Sequence, residues 1–191
     1  MAKRRIGVLG GTFNPVHIGH LILAQGAKEL LGLEKVIFVP TFHPPHKRLR
    51  GLVCAKERYH MLSLAIRSNP DFLLSDIEIK RRGVSYSVET VLELKSKLGK
   101  VDLYFIVGSD FLREFSSWKD TQVLRKICRF AVVQRPGYPY QKLPRNMSAI
   151  DVETLDISST FIRKRIKSGR SIRYFVPDDV GKYIVKKKMY R

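Results

Sequence analysis

Short apolar runs alternate with longer amphipathic segments along most of the chain. The segments 36–39 (VIFV) and 103–107 (LYFIV) are continuously apolar, which is typical of strands buried on both faces. In the first amphipathic segment, Ala24 and Ala27 fall on one side at helical spacing, and Gly32 gives a helix end. The pattern therefore predicts buried strands that alternate with helices.

The predicted strands are 4–9, 35–39, 72–79, 102–107, 129–134 and 149–154. The predicted helices are 18–31, 55–68, 86–98, 110–127, 159–168 and 177–188. Strands that alternate with helices favour an α/β fold with a doubly wound parallel sheet. We predict this Rossmann-like architecture with a C-terminal helical portion. In such sheets, ligands bind beyond the carboxyl ends of the strands, where the strand order reverses.

The length of 191 residues suits one domain, 1–191, and 44% hydrophobic with 28% charged residues is typical of soluble globular proteins. No apolar run approaches the ~20 residues of a membrane span, and the first residues, MAKRR, lack the apolar stretch of a signal peptide. We therefore expect a cytoplasmic protein with no membrane partner. Cys54 and Cys128 do not indicate a disulfide framework. The sequence does not give the oligomeric state.

The net charge of +19 indicates an anionic partner, and nucleic acid is one candidate. The basic residues are nevertheless dispersed over several short clusters along the chain. No RRM, zinc-finger or homeodomain pattern accompanies them. A basic nucleic-acid-binding module therefore stays the less favoured alternative interpretation.

The segment 10–20, GGTFNPVHIGH, joins the first predicted strand to the first predicted helix. Paired glycines at the predicted turn, Gly10 and Gly11, let the backbone approach a ligand, and a helix N-terminus attracts anions. His17 and His20 are three residues apart and would share one face of the first helical turn. We predict a phosphate site. A zinc site would need further ligands at spacings that the sequence does not supply.

A proline-stiffened loop, 40–47 (PTFHPPHK), follows the second predicted strand. Its position at the carboxyl end of a strand favours phosphate contact by Lys47. The alternative is an ordinary solvated lysine on the surface.

The segment 157–163, ISSTFIR, begins a predicted helix with hydroxyl side chains, which helix capping alone could explain. Arg163 is predicted in the first turn, where a cation opposes the helix dipole. A bound anion would offset that cost, so we predict a second phosphate contact here.

Gly108 and Asp110 follow the fourth predicted strand directly. A carboxylate at this location commonly receives ribose hydroxyls in nucleotide-binding sheets. Asp110 could equally cap a helix over 110–117, and the two interpretations are compatible.

Together these segments resemble the bacterial nicotinate-nucleotide adenylyltransferases of the nucleotidylyltransferase superfamily, and the matching motifs span residues 5 to 163. The HIGH and ISSTFIR motifs identify the superfamily but not one enzyme within it, because pantetheine-phosphate adenylyltransferases share related signatures. The narrower resemblance rests on 83–90 (GVSYSVET) and on Trp118. The family pattern there is G-x-SYT-x-DT, from which Ser87 and Glu89 of this chain depart.

The resemblance implies transfer of AMP from ATP to nicotinate mononucleotide, giving the dinucleotide and pyrophosphate. It implies catalytic roles for His17, His20, Lys47 and Arg163. It implies ATP contacts from Gly10, Gly11, Thr12, Phe13, His20, Gly108, Asp110, Arg135, Ile157, Ser158, Ser159, Thr160 and Arg163. It implies mononucleotide contacts from Thr12, Asn14, His17, Lys47, Ser85, Tyr86 and Trp118. The expected cofactor is Mg²⁺ held by ATP phosphates and water, with no protein metal site.

Other enzymes of the superfamily stay open as alternatives at this point, with nicotinamide mononucleotide or pantetheine phosphate as the acceptor. A class I tRNA synthetase also has a HIGH motif, but 191 residues leave little room for both a catalytic domain and anticodon recognition.

Overall fold

The computed structural model describes residues 3–45, 51–135, 137–139 and 142–191. Parallel strands form one sheet in the order β3-β2-β1-β4-β5-β6. The strands are β1 (Arg4–Gly11), β2 (Lys35–Pro40), β3 (Phe72–Leu74), β4 (Val101–Gly108), β5 (Arg129–Val133) and β6 (Met147–Ile150). The predicted doubly wound parallel sheet is confirmed.

Helices connect the strands and close the chain. They are α1 (Ile18–Leu31), α2 (Ala55–Ile66), α3 (Ile77–Arg81), α4 (Ser87–Leu98), α5 (Thr121–Ile127), α6 (Ser159–Lys167) and α7 (Asp178–Lys186). Two short 3₁₀ helices, Ser109–Arg113 and Phe115–Ser117, lie between β4 and α5. The last two helices are the predicted C-terminal helical portion. Within the described residues, no helix is both long enough and apolar enough to cross a membrane.

The central strand β1 pairs with β2 on one side and β4 on the other, so Val8 lies opposite both Ile37 and Phe105. The strand order reverses between β1 and β4, and their carboxyl ends leave a crevice where the two halves diverge. The segments predicted to bind phosphate and ribose follow these two strands.

Each face of the sheet packs against its own hydrophobic core. Leu9, Phe38 and Ile106 face one core, which α1, α2, α6 and α7 complete. Val8 and Phe105 face the other core, which α4, α5 and the 3₁₀ segments complete. Side chains that alternate between two cores explain why the central strands are apolar at nearly every position.

The predicted strand 72–79 is wrong in its second half. Pairing with β2 stops at Leu74, and α3 begins at Ile77. The backbone N–H of Ile77 donates to the Ser75 hydroxyl at 3.4 Å, and Asp76 is the N-cap residue. These short polar residues begin a helix, which a period-two interpretation of the apolar positions missed.

The predicted helix 110–127 is also wrong as one element. The chain there forms the two 3₁₀ helices and the shorter α5, with Trp118 in extended conformation and Asp120 at φ 50°. The last predicted strand, 149–154, is wrong in its bounds, since β6 covers Met147–Ile150. Its pairing with β5 begins at Met147, opposite Phe130. Its apolar continuation, Val152, instead packs against α1, close to Gly26.

Candidate active site

A cleft of about 540 Å³ opens where β1 and β4 diverge, and nearly every predicted site residue lies in its wall. The predicted residues in the wall are Gly10, Gly11, Thr12, Phe13, Asn14, His17, His20, Ser85, Tyr86, Gly108, Asp110, Trp118, Arg135, Ser158, Ser159, Thr160 and Arg163. Ile157 is buried in the first core instead. Lys47 lies outside the described residues. The topology thus brings together residues from five separate segments of the chain.

Gly10 and Gly11 are not in a turn, as predicted, but are the last residues of β1, opposite Val39 and Pro40. Their small size still matters, because a Cβ on Gly11 would lie 3.0 Å from the ring of Phe13. The turn begins at Thr12, and Phe13 adopts φ 47° with its side chain buried in the core. The Phe13 ring meets the His20 ring edge-on at 5.0 Å between centroids. Phe13 therefore links the first core to the His20 imidazole.

His17 is the N-cap residue of α1, and His20 is the third residue of that helix. Their ring centroids are 3.6 Å apart, and the His17 backbone N–H donates to His20 Nδ1 at 3.2 Å. The prediction that both imidazoles share one side of the first turn is confirmed, although His17 itself is not helical. Their placement at a helix N-terminus suits an anion.

The His17 imidazole is 5% exposed, and its Nδ1 has no hydrogen-bond partner among the described residues. Burial, with a smaller contribution from the nearby positive charge of Arg135, lowers the pKa of His17 from 6.5 to about 3. A Cβ at Gly19 would lie 3.2 Å from His17 Nδ1, so the glycine leaves room for the ring. The unliganded site therefore holds a neutral imidazole.

Asp110 does not cap a helix, because the 3₁₀ segment begins at Ser109 with Gly108 as its N-cap. The Arg135 guanidinium donates to Asp110 Oδ2 at 2.9 Å. The Arg135 stem crosses Gly108 so closely that a Cβ there would lie 2.4 Å from its Cδ. The Ser109 hydroxyl accepts from the Arg135 backbone N–H at 2.9 Å and donates to the Tyr138 carbonyl at 2.7 Å. The carboxylate predicted to take ribose hydroxyls therefore faces an arginine from the loop that follows β5.

The predicted first-turn position of Arg163 is wrong, because α6 begins at Ser159 and Arg163 is its fifth residue. Ser158 caps the helix by accepting from the Phe161 backbone N–H at 3.1 Å. The Arg163 guanidinium donates to the Asn14 carbonyl at 2.8 Å and to the Thr160 hydroxyl at 3.0 Å. Arg163 thus stabilises the folded protein through hydrogen bonds, and the dipole argument for an anion does not hold.

The far end of the cleft is lined by Ser85, Tyr86 and Trp118. Trp118 packs edge-on against Phe111 and Phe115, with ring centroids 5.7 and 5.9 Å away. It therefore contacts the second core and also lines the cleft. The Ser85 backbone N–H already donates to the His43 carbonyl at 2.9 Å. The N–H groups of the first turn of α4 lack partners within the helix, so they are candidate donors for an anion.

Glu89, one of the two departures from the family pattern, accepts from Lys119 at 2.8 Å and lies 3.6 Å from Arg81. Lys119 Nζ also lies 4.5 Å from the centre of the Tyr86 ring. The carboxylate and the two cations form a charged group beside the aromatic end of the cleft. The Glu89 carboxylate therefore has cationic partners within the protein.

Arg58 was not predicted as a site residue, yet it is fully buried and holds three loops around the cleft. Its guanidinium donates to the carbonyls of Val53, Thr12 and Phe42 at 2.8, 2.7 and 3.0 Å. Burial lowers the pKa of Arg58. One signal was present, because Arg58 falls on the apolar stripe of α2 with Met61 and Leu62 rather than on its polar side.

A doubly wound parallel sheet with two histidines in the crevice at its reversal point is typical of nucleotide-binding proteins. The family model described as cytidylyltransferase-like matches residues 8–165. Probable nicotinate-nucleotide adenylyltransferases of Desulfitobacterium hafniense and Thermus thermophilus are both 42% identical to the chain. The alignments cover 98% of this chain in both cases, and 96% and 100% of the two relatives.

A solved nicotinic acid mononucleotide adenylyltransferase of Plasmodium falciparum, complexed with NaAD, superposes with a TM-score of 0.80 at 19% identity. The match covers 98% of this chain and 97% of the solved chain, which supports the fold. The chain belongs to the cytidylyltransferase-like family and, within it, to the nicotinate-nucleotide adenylyltransferases. The predicted family membership is confirmed, and the pantetheine-phosphate and nucleic-acid alternatives find no support among these relatives.

Proposed function

We propose that the chain transfers AMP from ATP to nicotinate mononucleotide, releasing pyrophosphate and forming nicotinate adenine dinucleotide. The observation that supports this most directly is that one cleft joins the His17–His20 pair, the start of α6 and the aromatic end at Trp118. The first two suit phosphates, and the third suits a planar ring. The full-length relatives named for this activity support the same conclusion.

In the proposed reaction, a phosphate oxygen of the mononucleotide attacks the α-phosphorus of ATP in line. A new P–O bond forms as the bond from the α-phosphorus to the bridging oxygen breaks, and that electron pair leaves with pyrophosphate. No protein nucleophile is needed, so the protein acts by positioning the groups and stabilising charge. We assign the two imidazoles, whose centroids are 3.6 Å apart, to the phosphates around the reacting centre.

We assign the triphosphate to the turn after β1 and to the start of α6. Thr160 and Arg163 are already hydrogen-bonded to each other there, so their polar groups are pre-arranged before ATP binds. Lys47 stays a predicted phosphate contact. Gly108 and Asp110 stay the predicted ribose contacts, and the ribose hydroxyls would then take the place that Arg135 holds at Asp110.

Mg²⁺ enters as part of the ATP substrate, since phosphate oxygens and water satisfy its preference for oxygen ligands. In the described ranges, no group of three or more His, Cys, Asp or Glu residues could hold a metal ion alone. The proposed contribution of Mg²⁺ is to neutralise charge on the phosphates of ATP. A cytoplasmic location stays a prediction.

The nicotinate end is assigned to Tyr86, Trp118 and the first turn of α4. The N–H groups of that turn have no partners within the helix and suit a carboxylate. A carboxamide would place an NH₂ group against these donors, so the acid form should be preferred. We therefore expect discrimination of roughly 10²-fold or more.

The test is pyrophosphate release from Mg·ATP with nicotinate mononucleotide, nicotinamide mononucleotide or pantetheine phosphate as the acceptor, at fixed salt. We expect kcat/KM to be highest for nicotinate mononucleotide by about two orders of magnitude. Equal values for the two pyridine nucleotides would contradict the assigned carboxylate site. Release only with pantetheine phosphate would contradict the proposed function.

A further inference from the structure

The turn after β1 is held from outside by side chains of later elements. Each of three side chains donates to a different main-chain carbonyl of this turn. The contacts run from Arg58 to Thr12, from Arg163 to Asn14 and from Ser159 to Pro15, at 2.7, 2.8 and 2.8 Å. The turn between the first strand and the two histidines of the cleft is therefore fixed by the packing of α2 and α6.

A fourth contact comes from Tyr190, beyond the end of α7. Its phenol donates to Asn14 Oδ1 at 2.9 Å. Asn14 is 7% exposed, and its amide also bonds the segment that begins at Gly51, donating to the Gly51 carbonyl and accepting from the Val53 backbone N–H. Tyr190 therefore completes the set of partners that fixes the orientation of the Asn14 amide.

The backbone of Tyr190 adopts a strained conformation, while its side chain makes contacts with two separate parts of the protein. Its φ is 63°, in the left-handed region that bulky residues rarely adopt. Such a conformation costs about 1–3 kcal/mol and persists where surrounding contacts over-determine it. Here the ring packs against the first core, and the phenol reaches Asn14.

The Tyr190 phenol also lies near the positive charges of Arg163 and Arg58. Both cations favour the phenolate, but burial outweighs them and raises the pKa of Tyr190. The hydroxyl therefore keeps its proton and remains a donor to Asn14 across the pH range of ordinary assays.

We propose that Tyr190 is a positioning residue for adenylyl transfer, acting through the Asn14 amide on the turn that leads to His17. This inference rests on the proposed function. Tyr190 does not touch the reacting atoms. By fixing Asn14, it holds the turn and the segment at Gly51 in one arrangement, and in-line attack is sensitive to such placement.

The experiment compares Tyr190→Phe with Tyr183→Phe. Both substitutions remove one phenol hydroxyl, and the Tyr183 hydroxyl likewise donates to a side-chain oxygen, that of Glu57, outside the cleft. With one neutral hydrogen bond lost, we expect Tyr190→Phe to lower kcat roughly 5-fold. KM for both substrates should stay within about twofold, because the lost interaction acts on placement in the transition state. Tyr183→Phe should keep the wild-type kcat.

A double-mutant cycle with Asn14→Ala tests the route of the effect. If Tyr190 acts through Asn14, Tyr190→Phe changes kcat little once Asn14 is alanine, so the two effects are strongly non-additive. Assays run far below the unfolding midpoint of each variant, measured in parallel, so a general loss of stability does not imitate the result. Additive effects, or a wild-type kcat in Tyr190→Phe, would overturn the proposal. The proposed function fails separately, if the wild-type protein releases no pyrophosphate from its assigned substrates.

Discussion

Among single residues, buried polar side chains determine the properties of the cleft, and two of them, Arg58 and Asn14, have all their described partners within the protein. His17 is held neutral by burial, Arg58 is satisfied by three carbonyls, and Asn14 uses both of its amide atoms. Buried polar groups of this kind are costly when a partner is removed, because the group that stays behind is left without a hydrogen bond. These residues of the cleft are therefore held in place by contacts within the protein itself.

The lowered pKa of His17 predicts a specific pH dependence of stability. As the pH falls below about 6.5, the unfolded chain binds a proton at this residue, while the folded protein does so only near pH 3. The stability due to neutral His17 is thus present above pH 6.5 and is lost as the pH falls towards about 3. This loss amounts to roughly 2 kcal/mol between pH 7 and pH 5.

Denaturant unfolding at these two pH values measures the effect in wild type and in His17→Gln, which cannot titrate. The variant should lose roughly 2 kcal/mol less than wild type over this interval. His60→Gln, on the exposed side of α2, is the control and should behave as wild type. An identical pH dependence in wild type and His17→Gln would show that the imidazole is not held neutral.

At the scale of elements, the parts of the site that could be predicted are those attached directly to strand ends. The HIGH segment after β1 and Asp110 after β4 were placed correctly, because parallel strands bring their carboxyl ends to one edge. The pairing of Asp110 with Arg135 was not predictable, since it depends on how the loop after β5 folds back over Gly108. The start of α6 at residue 159 was predicted correctly, but Arg163 is the fifth residue of that helix and lies beyond its first turn. Its hydrogen bonds to Asn14 and Thr160 could not be predicted, because they depend on how α6 packs against the turn after β1.

The close approach of Arg135 to Gly108 gives a prediction about ATP binding. In Gly108→Ala, the new Cβ would lie 2.4 Å from Arg135 Cδ and 2.6 Å from Asp110 Oδ1, so the pair must move. The backbone itself accepts alanine, with φ −79° and ψ 153°. Overpacking of this kind costs about 1–3 kcal/mol, so we expect KM for ATP to rise roughly 10-fold.

The test is to measure KM for ATP and KM for nicotinate mononucleotide in the same variant. KM for nicotinate mononucleotide should change little in Gly108→Ala, because its proposed site is at the Trp118 end. Gly181→Ala in α7 is the control, since its Cβ meets Val176 at an ordinary 3.5 Å. An unchanged KM for ATP in Gly108→Ala would remove Gly108 and Asp110 from the ATP site.

At the scale of the whole molecule, the order of strands explains why so much of the fold could be predicted. Apolar runs such as 103–107 marked the central strands, whereas the edges went wrong: β3 is shorter than predicted and β6 lies earlier. Edge strands are constrained on one side only, so the sequence pattern alone marks their ends less clearly. Arg58 and Tyr190 were missed because their roles depend on contacts between distant segments.

The net charge of +19 also belongs to this scale. Both proposed substrates are anions, and a positive field raises the rate at which anions encounter a cleft. Cations in the cleft wall include Lys119, Arg135 and Arg163. The charge is therefore compatible with small anionic substrates, and it does not require a nucleic-acid partner.

In the proposed reaction, the α-phosphate of ATP moves with its adenosine onto nicotinate mononucleotide in this cleft. Transfer of label from [α-³²P]ATP tests it most directly, with wild type and His20→Ala compared at equal concentration. We predict that the label appears in the dinucleotide and that His20→Ala lowers the rate roughly 10²-fold with its fold intact, the scale of losing one transition-state donor. Label that stays in ATP or appears in free AMP would contradict the proposed reaction. A wild-type rate in His20→Ala would contradict the role proposed for His20.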